Sequence, residues 1–313
     1  MKIRTLLTSG LLWGFSLAAV ADTVGVGTMS QGTISFTTGS VIAKVMNEKM
    51  GLQARVQPNS GETVLVPLVS RGEIQFGIAN VLETQEAVNG LGAFSGRPQP
   101  NLQVAAALFP LRTALFVRAD SPYQSIADLK GQRITVGFSA MGSVDRVVKA
   151  LLASGGLRDG DYRPVLVPNV VAAADQLANG RADAFFFAVG GAKVAEVNAS
   201  IPLRALPMPT DEASVARAKA IFSGGYPILV RAGQNLAGVT SDISVMGYDN
   251  MLLTSATISP ELVKKVLSGI VANRDSLIEA FPLFRGLDPK QMVKTELPVT
   301  YHPASIEWAR SQR

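Results

Sequence analysis

Apolar positions along this chain follow two alternating periods. A short β-type run from Thr23 to Gly27 is followed by Val41, Ile42, Val45 and Met46, which share one helical face over 37–50. Ala54 and Val56 alternate with polar neighbours over 53–57, predicting a strand. A turn at Asn59-Ser60-Gly61 leads to a short helix marked by Val64, Leu65, Leu68 and Val69, and a third strand is predicted over 73–79. Strand alternating with helix argues for a parallel sheet in an α/β fold. Apolar runs over 103–108 and 113–117 predict two more strands, and the turn from Asp128 to Arg133 enters a strand over 134–136. Val144, Val147, Val148, Leu151 and Leu152 then give a clear amphipathic helix. A strand over 164–167, a helix over 171–178 and a strand over 183–189 repeat the alternation, so a second α/β unit is expected. The stretch from Pro202 to Gly238 is rich in Pro and Gly and yields no clear element. Positions 243–254 read as β, and Pro260 opens a helix expected to run through Ile278.

The first residues carry a different pattern. Lys2 and Arg4 precede an apolar run from Leu6 to Val20 that ends in Ala19-Val20-Ala21, a small-x-small cleavage site. This order predicts an export leader over 1–21 and a mature chain starting at Asp22, soluble in the periplasm. No later run of about 18 apolar residues predicts a membrane span.

Composition narrows the chemistry. At 313 residues the prior is about two domains. The chain has no cysteine and one histidine, His302. That excludes thiolate nucleophiles, Fe–S clusters and zinc sites built from several His or Cys ligands, and no cofactor or metal is expected. Basic residues number 29 and acidic residues 24. The basic ones are scattered and two fall in the leader, so the charge is no nucleic-acid footprint.

Three strand-to-helix turns carry small polar residues: Gly27 to Thr33, Asn59 to Thr63, and Gly137 to Ser143. In α/β sheets ligands sit beyond the carboxyl ends of strands, where such turns converge and helix N-termini suit an anion. Ordinary helix capping uses the same residue types and is the competing reading. No Walker A or dinucleotide fingerprint is present. Asp161, Asp175 and Asp183 read as solvated or capping residues, and His302 as a packing residue. The triplet Phe185-Phe186-Phe187 suits either a core strand or a ligand approach near Ala188-Val189-Gly190.

Taken in order, several motifs resemble one family. They are Gly27-Thr28-x-Ser30-x-Gly32, Ser70-Arg71-Gly72-Glu73-Ile74-Gln75-Phe76-Gly77, Phe116-Val117-Arg118-Ala119-Asp120-Ser121, Ser125-Ile126-Ala127-Asp128-Leu129-Lys130-Gly131, Gly180-Arg181-Ala182-Asp183-Ala184-Phe185-Phe186 and Tyr301-His302-Pro303. The set is similar to the TAXI-type solute receptors of TRAP transporters, from about residue 24 to the C-terminus. The resemblance implies a two-lobed, type II-like periplasmic binding protein, each lobe a mixed, mostly parallel sheet flanked by helices, with the ligand in the cleft between them. Lobe 1 is expected over 22–116 and 248–313, and lobe 2 over 117–247. The implied partners are a small organic anion, expected to be a carboxylate, and the membrane permease subunits of a TRAP transporter, with the receptor a monomer and not an enzyme.

Carried over position by position, the resemblance brings Thr28, Ser30, Asn59, Ser60, Asn80, Ser143 and the strand end Ala188, Val189 and Gly190 to the cleft. Departures fall at Ser35-Phe36, at Gly61-Glu62, at Asn80-Val81-Leu82 and at Ala140-Met141-Gly142-Ser143, which adds Ser35 and Met141 to the cleft candidates. At 82 an acidic residue of the family is replaced by Leu, so an acidic group for an ammonium is expected to be missing and a non-amino carboxylate is favoured over glutamate. Arg112 and Arg118 are candidate partners for its charge, against a surface or hinge role. The alternatives are the receptor of an ABC importer, an exported serine hydrolase using Ser30 or Ser143 with His302, and a surface adhesion protein.

Overall fold

The computed structural model describes residues 23–294 and 297–312, so the expected leader lies outside the described residues. Lobe 1 begins with β1 (Val24–Thr28), α1 (Ile34–Lys49), β2 (Ala54–Pro58), α2 (Glu62–Ser70), β3 (Phe76–Asn80) and α3 (Val81–Asn89). β1 pairs in parallel with both β2 and β3. β1 is buried along its whole length, as a central strand covered on both faces must be, whereas β2 is mostly exposed at the sheet edge. Thr33 caps α1 by accepting the Phe36 N–H at 3.1 Å.

One long strand, β4 (Leu102–Arg118), then leaves lobe 1 and enters lobe 2. The sequence pattern breaks at Pro110 and predicts two strands; the structure has one. Pro110 lacks an N–H for the ladder, and the partner strand shifts register between Asp249 and Met251, so the gap falls where pairing is already irregular. Lobe 2 continues with β5 (Arg133–Val136), α4 (Gly142–Ser154), β6 (Arg163–Leu166), α5 (Val170–Ala178), β7 (Ala184–Ala188) and α6 (Ala192–Ser200). The region left unassigned by pattern contains β8 (Leu203–Ala205), α7 (Glu212–Ile221) and β9 (Tyr226–Val230). β10 (Ile243–Ser255) returns to lobe 1 beside β4, and α8 (Pro260–Ala272), α9 (Arg274–Ala280) and α10 (Pro303–Ser311) complete it.

The sheet order is β2-β1-β3-β10-β4-β7-β5-β6, with β8 on β4 and β9 on β10. Parallel strands thus lie at the two ends, and the antiparallel pair β4 and β10 crosses between them. This is the two-lobed α/β architecture of periplasmic binding proteins. The single helix expected over 260–278 is divided at Asn273, whose side chain donates to the Gly269 carbonyl at 2.8 Å and competes with the helical ladder. Among the described residues the core forms two apolar clusters. One packs α1 and α8 against lobe 1 around Ile42, Met46, Val266 and Phe284. The other runs from the opposite face of lobe 1 into lobe 2, where Phe116 stacks on Phe185 at 5.4 Å.

His302 is 3% exposed and caps α10. Its Nδ1 accepts the Ala304 N–H at 3.1 Å, which fixes the proton on Nε2, and Nε2–H donates to the Ile258 carbonyl at 3.2 Å. Burial holds its pKa below the usual value, so the ring is neutral. His302→Ala is expected to cost about 2 kcal/mol from the lost cap and the space left behind. A lowered urea midpoint with unchanged solute binding is the expected result.

Candidate ligand cleft

A cavity of about 70 Å³ lies where the lobes meet the crossing strands. Lobe 1 contributes the start of α1 (Thr33, Ile34, Ser35), the carboxyl end of β3 (Ile78, Ala79, Asn80) and Glu83. Lobe 2 contributes Met141 and Val144 at the start of α4, Val170 at the start of α5, and Phe186, Phe187 and Ala188 at the end of β7. Leu111, Thr113, Tyr248 and Asn250 on the crossing strands form its floor. This is the position that α/β topology favours for a ligand, beyond the strand ends and facing helix N-termini. Most of the wall is apolar, and among the described residues no Lys, Arg or His lines it.

Of the candidates read from the sequence, Ser35, Asn80, Met141 and Ala188 line the cavity. Two of these polar side chains are already engaged. The Ser35 hydroxyl donates to the Ile78 carbonyl at 3.0 Å and accepts from the Met29 N–H at 3.0 Å. Asn80 caps α3, its Oδ1 accepting the N–H groups of Leu82 and Glu83. The other candidates surround the cavity without lining it. Thr28 donates to the Met29 carbonyl, Ser30 to the Asn59 carbonyl, and the Asn59 side chain to the Gln57 carbonyl. Ser60 is exposed, the Val189 N–H donates to the Arg112 carbonyl at 2.7 Å, and Gly190 sits in a left-handed turn with φ 86°.

Ser143 is the informative case. The N-terminus of α4 is a natural anion site, but the protein fills it from lobe 1. Glu62 Oε1 accepts the Ser143 N–H at 3.1 Å, and the Ser143 hydroxyl donates to Glu86 Oε2 at 2.8 Å. Arg146, one turn along α4, adds an ion pair to Glu86 at 3.1 Å. The Thr63 hydroxyl donates to the Ala140 carbonyl at 3.1 Å, and the Lys193 N–H of lobe 2 donates to the Gly32 carbonyl at 3.1 Å. Carboxylates of α2 and α3 therefore hold the two lobes together beside the cavity.

These carboxylates were not legible as a group. Glu62, Glu83 and Glu86 are 0%, 2% and 3% exposed. Burial pushes Glu62 up to about 8, helped by the nearby charge of Glu86. Burial, and then the charge of Glu62, hold Glu83 well above the usual carboxylate range. Glu83 corrects the expectation that an acidic group is missing: it stands one position after Leu82, where α3 turns it toward the cavity. The signal was present in Asn80-x-x-Glu83, a capping-box spacing, because both Glu83 oxygens accept from Asn80.

The serine hydrolase alternative is not assembled. His302 bonds Ile258 and Ala304, and Ser143 bonds Glu86. Arg118 pairs with Asp120 on the surface at 2.8 Å and does not line the cavity, and neither does Arg112. Asp161, Asp175 and Asp183 pair with Lys130, Lys193 and Arg133, as surface residues do. Among the described residues no group of His, Asp and Glu is arranged to hold a metal ion, and no helix is long and apolar enough to cross a membrane.

Comparison with known proteins places this architecture. A model of the NMT1-like family matches residues 26–308. A solved structure of a periplasmic transporter is similar with a TM-score of 0.58 and 14% identity, covering 94% of this chain and 93% of that one. A protein from Bordetella bronchiseptica RB50 is similar with a TM-score of 0.56 and 14% identity, covering 93% and 98%. The substrate-binding protein of an amino acid ABC transporter gives a TM-score of 0.49 and 16% identity, covering 83% and 100%. At these identities the likeness is one of fold. It supports the two-lobed architecture and gives no support to the TAXI and TRAP part of the resemblance.

Proposed function

We propose, from the premise that this chain belongs to the NMT1-like family, that it is an extracytoplasmic receptor that captures a small solute between its lobes and delivers it to a membrane importer. The observation that carries this reading is the cavity itself: both lobes and both crossing strands line one cleft at the strand ends. Binding and lobe closure are the whole mechanism. A ligand that touches both lobes stabilises the closed arrangement, and closure presents a surface that the open receptor lacks. The periplasm is the compartment this reading implies, in keeping with the leader expected at residues 1–21.

The importer class is the finer part of the proposal. An ABC importer is placed first, because a receptor of that class is named among the similar folds; the TRAP form rests on the sequence motifs. Solute uptake into vesicles carrying the cognate permease separates them, by dependence on ATP in one case and on an ion gradient in the other. The receptor function itself is tested by thermal unfolding of leader-free, refolded protein against amines, acids, amides and sugars. A solute at about 100 times its Kd is expected to stabilise the fold by roughly 2.7 kcal/mol. A flat response across the panel would remove the receptor reading.

A further inference from the structure

Two features of the cleft are not satisfied by the protein. The first is negative charge. Glu62, Glu83 and Glu86 are buried together, and the one ion pair among them is Arg146 on Glu86, among the described residues. A buried carboxylate without a cation is costly, and it either takes a proton or awaits a positive group. The second is an unused donor. Asn250 is 2% exposed, lines the cavity, and its Nδ2 has no partner among the described residues. Asn250 is registered opposite Asn80 across β10 and β3. Opposed residues of an antiparallel pair project from the same face, so Asn250 reaches the cavity beside the cap that holds Glu83.

We propose, resting on the receptor reading above, that the solute is a protonated amine with an apolar body and an uncharged acceptor oxygen, its ammonium meeting Glu83 and its oxygen meeting Asn250 Nδ2. Glu83 already accepts from the Asn80 N–H and Nδ2, but a carboxylate has about four acceptor positions, so sites for an ammonium remain. Met29, Ile34, Met141, Val144 and Phe187 enclose the apolar body. Among the described residues an anion finds no lysine, arginine or histidine on this wall, and the helix N-terminus that would favour it is taken by Glu62. The cavity of about 70 Å³ holds on the order of five water-sized units, which makes the solute small.

The charge balance gives a signature. The groups facing Glu83 are Glu62 from α2, Glu86 from α3, Arg146 from α4 beyond Glu86, and Tyr248 from β10. With these neighbours, burial first and the charge of Glu62 second raise the pKa of Glu83 in the empty cleft. Entry of an ammonium beside Glu83 lowers that pKa again, so binding releases protons to solvent.

The test is calorimetry at pH 7 with one carbon skeleton: valinamide, valine, 3-methylbutanamide and 3-methylbutanoate. Valinamide is expected to bind at least tenfold more tightly than 3-methylbutanamide and 3-methylbutanoate. Its binding heat is expected to vary with the buffer's ionisation heat in the sense of net proton release. Glu83→Gln keeps the cap of α3, and is expected to reduce that proton release and to weaken valinamide at least tenfold. Asn250→Ala is expected to weaken valinamide and to leave the proton count unchanged. Tighter binding of 3-methylbutanoate, or amine binding without proton release, overturns the inference and leaves the receptor reading intact. Mass spectrometry of the natively purified protein separates the two failures. A carried acid or sugar removes only the amine class, whereas an empty protein that binds nothing in the wider panel removes both.

Discussion

Gly61→Val is expected to hold the lobes apart. A Cβ at Gly61 would overlap the Ala140 carbonyl oxygen and lie 2.6 Å from its carbon. Both obstacles are backbone, so no side chain can turn away. Gly61 precedes α2 in lobe 1 and Ala140 precedes α4 in lobe 2, so the clash falls across the cleft. The Gly61 backbone is extended, with φ 179°, a conformation valine accepts. Each lobe therefore folds, and closure alone is penalised. A cost near 3 kcal/mol weakens a solute about 100-fold. The absence of native cysteine allows spin labels on Lys49→Cys and Arg158→Cys, one in each lobe, to read the separation directly. A longer and broader distance distribution than in the parent is expected. An unchanged distribution would mean that this contact is not part of the closed state.

The second large effect is a fall in stability as pH rises. Glu62 sits at about 8 in the folded protein against 4.5 when unfolded, and Glu83 is also raised. Between those values the folded state binds more protons than the unfolded one. Stability is therefore fullest below pH 4.5 as far as these groups are concerned, and is lost as pH climbs through about 8. Each proton of difference gives a slope of about 1.4 kcal/mol per pH unit. The two carboxylates act on each other, so the loss belongs to the pair. Glu62→Gln keeps an acceptor for the Ser143 N–H and removes one ionisation. It is expected to flatten the slope between pH 5 and 8 and to stabilise the protein by about 1 kcal/mol or more at pH 8. Urea midpoints across this range check it; parallel curves for parent and variant would refute it. His302 has the opposite sign. Its pKa is lowered on folding, so its contribution is fully present above its unfolded value of 6.5 and is lost as pH falls below it through the lowered folded value.

The lobe-closing contacts and the titration share one physical origin. Glu62 and Glu86 reach across the cleft to Ser143 and Arg146 and lose water in doing so. Opening the lobes returns them to solvent, which connects closure to the protonation of the cleft.

Local periodicity determined most of the element order. Alternating apolar residues fixed β2, and the spacing of Val144, Val147, Val148, Leu151 and Leu152 fixed α4, because burial of one face leaves that imprint along the chain. Asn80 was legible as a special residue before α3, since capping requires its type there. Other features depended on partners distant in sequence. β4 is one strand across Pro110 because β10 shifts register opposite it, which no local pattern records. Asn273 ends α8 through its own side chain, a choice that helical periodicity alone does not contain. At the cleft, the sequence marked turns with small polar residues and suggested an anion. The tertiary structure decided otherwise for the α4 turn, by bringing Glu62 and Glu86 from residues 57 to 81 positions away to fill it. Whether a carboxylate is solvated or buried depends on what packs over it, and that is settled only when the two lobes meet.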